Sequence, residues 1–182
     1  NNRMTEAADK DGKAVWYTYA GAGRVVSRCQ PDSTVSYAYN AKGLPVQITH
    51  RLADTDFLKE TLSYDKAGAG RMTGLERVGE NLAIAGSMSY AYDGAGQLVS
   101  YRRGQNTETY GYDLLGNRTF RKTNGADGAV YQYNTLNQLV SLSENGKQYT
   151  CEYDKRGNLI QESLDRAAVR QYTYNAANRM TL

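Results

Sequence analysis

The chain has 182 residues, 40% hydrophobic and 23% charged, with 18 Gly, 2 Pro and a net charge of +3. Mean hydropathy is −0.69 and no apolar run nears the ~18 residues of a membrane helix, so a transmembrane span is excluded, and so mild a charge gives no argument for nucleic acid. Sixteen Tyr against two Phe and one Trp is the oddity: Tyr joins β propensity to a hydroxyl that stays wet, which suits half-buried sheet surfaces.

Along the chain one phrase returns eight times. It reads YTYAGAGRV from Tyr17, YAYNAKGLP from Tyr37, LSYDKAGAG from Leu62 and YAYDGAGQL from Tyr90. It continues as YGYDLLGNR from Tyr110, YQYNTLNQL from Tyr131, CEYDKRGNL from Cys151 and YTYNAANRM from Tyr172. The second aromatics, Tyr19, Tyr39, Tyr64, Tyr92, Tyr112, Tyr133, Tyr153 and Tyr174, step by 20, 25, 28, 20, 21, 20 and 21 residues. That period holds two short strands and two turns, and is too short for helix pairs. The residue between the paired positions (Thr18, Ala38, Ser63, Ala91, Gly111, Gln132, Glu152, Thr173) is small or polar every time. One face is aromatic and the other is not, which is strand periodicity.

After the second aromatic comes Asn40, Asp65, Asp93, Asp113, Asn134, Asp154 or Asn175, with Ala20 the exception. Three places on stands Gly23, Gly43, Gly68, Gly96, Gly116, Asn137, Gly157 or Asn178. The first residue accepts a backbone N–H two residues on; the second tolerates left-handed φ, as a type I turn followed by a bulge requires. Return strands follow (RVVSR from Arg24, QLVSY from Gln97, QLVSL from Gln138, NLIQE from Asn158), then hairpin signals such as NGADG from Asn124 and ENGK from Glu144. The third unit carries two extra residues before its return strand, and the connection GENLAIAGS from Gly79 is long; a bulge or protruding loop is expected there. Asn2, Arg3, Met4 and Thr5 repeat Asn178 to Thr181, so residues 1–182 read as a single repeat array cut from a longer one. The first residues have no apolar core of a secretory signal, which leaves export to a larger polypeptide.

Eight hairpins give about sixteen strands and a sheet roughly 75 Å wide at ~4.8 Å per strand. Open sheets seldom pass ~10 strands without curling, and an uncovered aromatic face that wide would be insoluble. The expectation is a curled sheet whose aromatic rows pack on one another or on a second sheet.

The phrase Y-x-Y-[DN]-x-x-[GN]-[NQR]-[LMV], in register from Asn2 to Leu182, resembles the RHS/YD repeats of bacterial Rhs and wall-associated toxins, insecticidal toxin complexes and animal teneurins. The resemblance implies an all-β ribbon of about eight tandem hairpins, a spiral segment of a hollow β-shell. In the toxins that shell encloses a C-terminal polypeptide; in teneurins it is an adhesion scaffold. It also implies a secreted or cell-surface setting within a larger bacterial protein. No core motif of the autoproteolytic DPxG kind is present, so neither proteolytic nor toxic activity carries over to any residue.

Other chemistry is thin. His50 is the only histidine, with no nucleophile elbow near it; a loop or strand-edge position is expected. DTD from Asp54 and DKDG from Asp9 are loop carboxylates without the calcium-loop pattern. The AGAGR phrases lack the lysine and helix of a phosphate loop. Cys29 and Cys151 form no framework; Cys151, in a Tyr slot, reads as a small buried hydrophobe. Arg102, Arg103, Arg118, Arg121 and Lys122 form a solvated face or a basic patch. With no such chemistry in the residues, the resemblance implies a non-enzymatic shell segment, and no cofactor or metal is expected. The partners it implies are further repeats and an enclosed cargo, and self-association through cut end strands is expected. A carbohydrate- or cell-surface-binding adhesion module is the alternative; its glycan site requires Tyr90, Tyr110 and Tyr131 to be open.

Overall fold

A computed structural model describes residues 3–8, 10, 12–66, 69–79 and 85–181. Asn2, Gly68, Leu182, Asp9 and Asp11 of DKDG, Ala67 of the second AGAGR phrase and most of the GENLAIAGS connection lie outside the described residues.

Every regular element described is a strand. The first eight are β1 (Glu6–Ala8), β2 (Ala14–Tyr19), β3 (Val25–Gln30), β4 (Ser33–Tyr39), β5 (Pro45–Leu52), β6 (Thr55–Tyr64), β7 (Met72–Gly79) and β8 (Gly86–Tyr92). The rest are β9 (Leu98–Arg103), β10 (Asn106–Tyr112), β11 (Arg118–Thr123), β12 (Ala126–Tyr133), β13 (Leu139–Glu144), β14 (Lys147–Tyr153), β15 (Leu159–Leu164) and β16 (Ala167–Gln171). They form one antiparallel sheet, not closed, whose spatial order is the chain order. The chain divides into two compact units, Asn1–Ala91 with Arg102–Gln105, and Tyr92–Tyr101 with Asn106–Leu182.

Within each unit the same irregularity recurs beside the second aromatic. In the first unit Ala38 pairs with Gln47 but Tyr39 with Pro45, so Val46 is an extra residue in β5; Val26 and Thr73 are its counterparts in β3 and β7. In the second unit Thr119, Val140 and Ile160 play that part. A bulge one residue into each of these six return strands absorbs the odd residue count of the turn and adds local twist.

The burial pattern alternates as the sequence predicts: in β4, Tyr37 and Tyr39 are half-buried while Ser36 and Ala38 are exposed. Of the two packings expected for the aromatic rows, the described residues of each unit show no second sheet over them. Ala129 is the fully buried apolar residue among those described, beside Ser141 and Ser163. The tyrosines are shielded by neighbours on their own face, because each unit is one sheet thick.

Candidate functional site

Among the described residues, the feature that recurs is structural rather than a cleft. What repeats is a turn and a tyrosine, and these bind one hairpin to the next.

At the turn, Asp113 Oδ1 accepts the N–H of Leu115 and of Asn117, both at 2.9 Å. Asn40, Asn134, Asp154 and Asn175 each accept two N–H groups in the same places. Asn117 Nδ2 also donates to Asp113 Oδ2 at 2.9 Å, and that bond leads the influences holding the Asp113 carboxyl below its usual range. Asp154 is lowered first by the Asn158 side chain, and Asp93 first by the Gln97 backbone N–H. Ala20 has no side-chain acceptor, yet the backbone closes alike: Ala20 N–H donates to Arg24 O and Gly23 N–H to Ala20 O, both at 2.8 Å. The fourth position is left-handed, φ 83° at Gly43 and 64° at Asn137, a region open to Gly and tolerated by Asn. In the enlarged third turn the left-handed residue before the return strand is Gly70 (φ 73°), whose N–H donates to Asp65 Oδ1 at 3.1 Å. Sequence reasoning passed over Gly70; its signal was the Gly directly before Arg71, as Gly23 precedes Arg24.

In seven units the second tyrosine reaches back to a main-chain carbonyl of the segment before it. Tyr39 Oη donates to Val25 O (2.7 Å) and Tyr64 Oη to Pro45 O (2.7 Å), and Tyr19 Oη to Met4 O. In the second unit Tyr112 reaches Leu98 O (2.8 Å), Tyr133 reaches Arg118 O (3.2 Å), and Tyr153 and Tyr174 reach Leu139 O and Leu159 O (3.0 Å each). Apart from Met4, which precedes β1, each acceptor is the first residue of a return strand. Burial raises the pKa of Tyr64, Tyr133 and Tyr153, so the donors stay protonated.

The first tyrosines act differently. Tyr17, Tyr37, Tyr90, Tyr110, Tyr131 and Tyr172 are half-buried. Tyr110 Oη donates to Glu108 Oε2 at 2.6 Å, and burial, followed by that carboxylate, pushes its pKa up to about 12. The Arg118 guanidinium lies over the Tyr110 and Tyr131 rings at 5.8 and 4.7 Å, within cation–π range.

The charged candidates resolve into pairs. His50 lies inside β5, not in a loop or at an edge: Nε2 is 3.3 Å from Glu60 Oε2 and its ring 5.9 Å from Phe57. Glu60 Oε1 accepts from Arg77 Nε at 2.7 Å; burial raises its pKa, but the Arg77 and His50 contacts outweigh burial and lower it. Of the DTD phrase, Asp56 is in β6, bonded to Arg51 Nε at 2.8 Å, rather than in a loop. Arg121 pairs with Glu144 and Lys122 with Asp127, so within the second unit these cations have acidic partners. Arg102 Nε donates to Gly104 O at 3.0 Å, and Arg103 is exposed in β9. Cys29 and Cys151 are free thiols, half-buried rather than buried; burial raises the Cys151 thiol pKa. Among the described residues no cluster of three His, Cys, Asp or Glu is placed to hold a metal.

The teneurin YD-shell family model matches residues 34–181. The chain belongs to that family. No curated protein matches it. Crystal structures share the YD-shell fold: TcdB2-TccC3 without its hypervariable C-terminal region (TM-score 0.77, 18% identity, 96% of this chain), TcdB2-TccC3-TEV (0.76, 17%, 94%) and TcdB2-TccC3-Cdc42 (0.75, 16%, 94%). The chain spans about a tenth of the length of each of those chains, 10% in every case. It is therefore a shell-like repeat segment.

Proposed function

We propose that residues 1–182 act as one non-enzymatic wall segment of a larger YD shell, pairing with further repeats of its own polypeptide and helping to isolate an enclosed polypeptide cargo. The observation that carries this reading is the tyrosine rung. Tyr39, Tyr64, Tyr112, Tyr133, Tyr153 and Tyr174 each bind the opening carbonyl of the return strand before them, and Tyr19 binds Met4 O ahead of β1, a linkage that can repeat laterally from unit to unit. The tyrosines, turn residues and Gly/Asn positions are on this reading scaffold residues, and the setting is secreted or cell-surface within a larger bacterial protein. A sugar-stacking face is disfavoured, because Arg118 already occupies the Tyr110 and Tyr131 rings.

The test is protease protection of the natural full-length polypeptide. A segment outside the repeats that survives digestion, and is cut once the shell is opened by denaturant, supports enclosure. A full-length protein with every non-repeat segment cleaved at the native-state rate of an unfolded peptide overturns it.

A further inference from the structure

The residue just after each turn is Arg, Gln or Asn in most units, and its side chain extends beyond its own hairpin. It points along the row of turns to the fourth turn residue of the next hairpin. Where that residue is glycine, a long side chain covers it: a Cβ on Gly23 would sit 2.7 Å from Arg3 Nη2, one on Gly43 2.7 Å from the Arg24 guanidinium, and one on Gly157 3.2 Å from Gln138 Nε2. Leu44 covers Gly70 and Gln97 covers Gly116, each at 3.4 Å. Where the fourth residue is Asn, the preceding side chain is the short Asn instead: Asn117 Nδ2 donates to Asn137 Oδ1 at 2.7 Å, and Asn158 Nδ2 to Asn178 Oδ1 at 2.7 Å.

We infer that these pairs are a length-complementary code that specifies which hairpin may follow which, long over Gly and Asn onto Asn. The physical need is plain. Near-identical repeats can pair one unit out of register with almost the same backbone hydrogen bonds, and such misassembly is the failure mode of repeat chains. The side chains at the turn edge break that degeneracy. A long side chain brought against Asn137 or Asn178 overlaps an amide already filling the space. A short Asn brought over a glycine leaves its amide without the neighbouring acceptor it has here. The same Asn or Gln also binds the first residue of its own turn: Asn117 to Asp113, Gln138 to Asn134, and Asn158 to Asp154. One amide thus ties two turns together and joins the local turn to the lateral register.

The inference rests on the geometry within each unit and stands whether or not a cargo is enclosed. It is tested by a double-mutant cycle in the full-length polypeptide, read by hydrogen exchange at Gly116 and Asn137, whose N–H groups close their turns onto Asp113 O and Asn134 O. Asn117→Gln alone is expected to speed exchange at Asn137 about tenfold or more, as a coupled contact worth a tenfold equilibrium change does when lost. Asn137→Gly added to it recreates the Gln138/Gly157 arrangement and is expected to restore exchange to within about threefold of the parent. The reciprocal cycle, Gly157→Asn with and without Gln138→Asn, should show the same rescue, read at the residue 157 amide. Additive effects in both cycles, with no rescue by either second substitution, overturn the code. If either single variant fails to fold, the double variant folding in its place supports it, and the double failing as well overturns it.

Discussion

The tyrosine rung has a worked cost. Tyr39→Phe removes the Oη that donates to Val25 O at 2.7 Å in a part-buried setting and leaves ring packing intact. A net hydrogen bond is worth about 0.5–1.5 kcal/mol, and the orphaned carbonyl places the loss near the upper half of that range. In a chain of this length ~1 kcal/mol lowers the melting midpoint by about 2–4 °C. Tyr37→Phe is the internal control: it is the same substitution two residues away on the same strand, for which no hydroxyl partner is present among the described residues, and its stability should stay within about 0.5 kcal/mol of the parent. Thermal unfolding followed by circular dichroism reads both. Equal midpoints for Tyr39→Phe and Tyr37→Phe would refute the reasoning, since the rung would then contribute nothing beyond a wet hydroxyl.

Asp93, Asp113 and Asp154 titrate below their ordinary range, so their turn bonds stabilise the fold fully above the unfolded carboxyl pKa near 3.9 and are lost as pH falls through the lower folded values. Melting from pH 5 down to pH 2 is expected to fall, and Asp113→Asn should flatten part of that slope; an unchanged slope counts against the assignment. Gly43→Ala should cost about 1–2 kcal/mol in urea unfolding, because φ is 83° and the new Cβ would lie 2.7 Å from the Arg24 guanidinium; a neutral result would mean the turn relaxes. Glu60→Ala strands Arg77 beside a half-buried His50 and should lower the midpoint more than Asp56→Ala, whose Arg51 pair is about half exposed and worth about 0–1 kcal/mol. The reverse order would place the charge balance elsewhere.

The hairpins were legible because their signals are local. An Asp or Asn accepting N–H groups two and four residues on, and a Gly or Asn at positive φ, are settled within five residues, so Asp113, Gly116, Asn134 and Asn137 declare their turn without reference to the rest of the chain. Strand alternation is equally local, and Tyr37 and Tyr39 show their face by period alone. Gly70 was passed over because two extra residues lengthen that turn and put a left-handed glycine two places beyond the regular spacing. His50 was harder: a lone histidine in QITHRLADTD carries no sign that Glu60, ten residues on and paired with Ile48, will reach it diagonally from β6.

The amino-acid sequence by itself therefore determined the class, the unit and the turn chemistry. Only the tertiary structure decided where each side chain ends. The bulges at Val46 and Val140, the tyrosine hydroxyls bonded 14 or 15 residues back, Arg118 over two rings and the amide pairs 20 residues apart all depend on which strand lies alongside. The reason is physical: a turn closes on backbone groups a few bonds away, whereas a rung needs a neighbour that exists only once the next hairpin has docked in register.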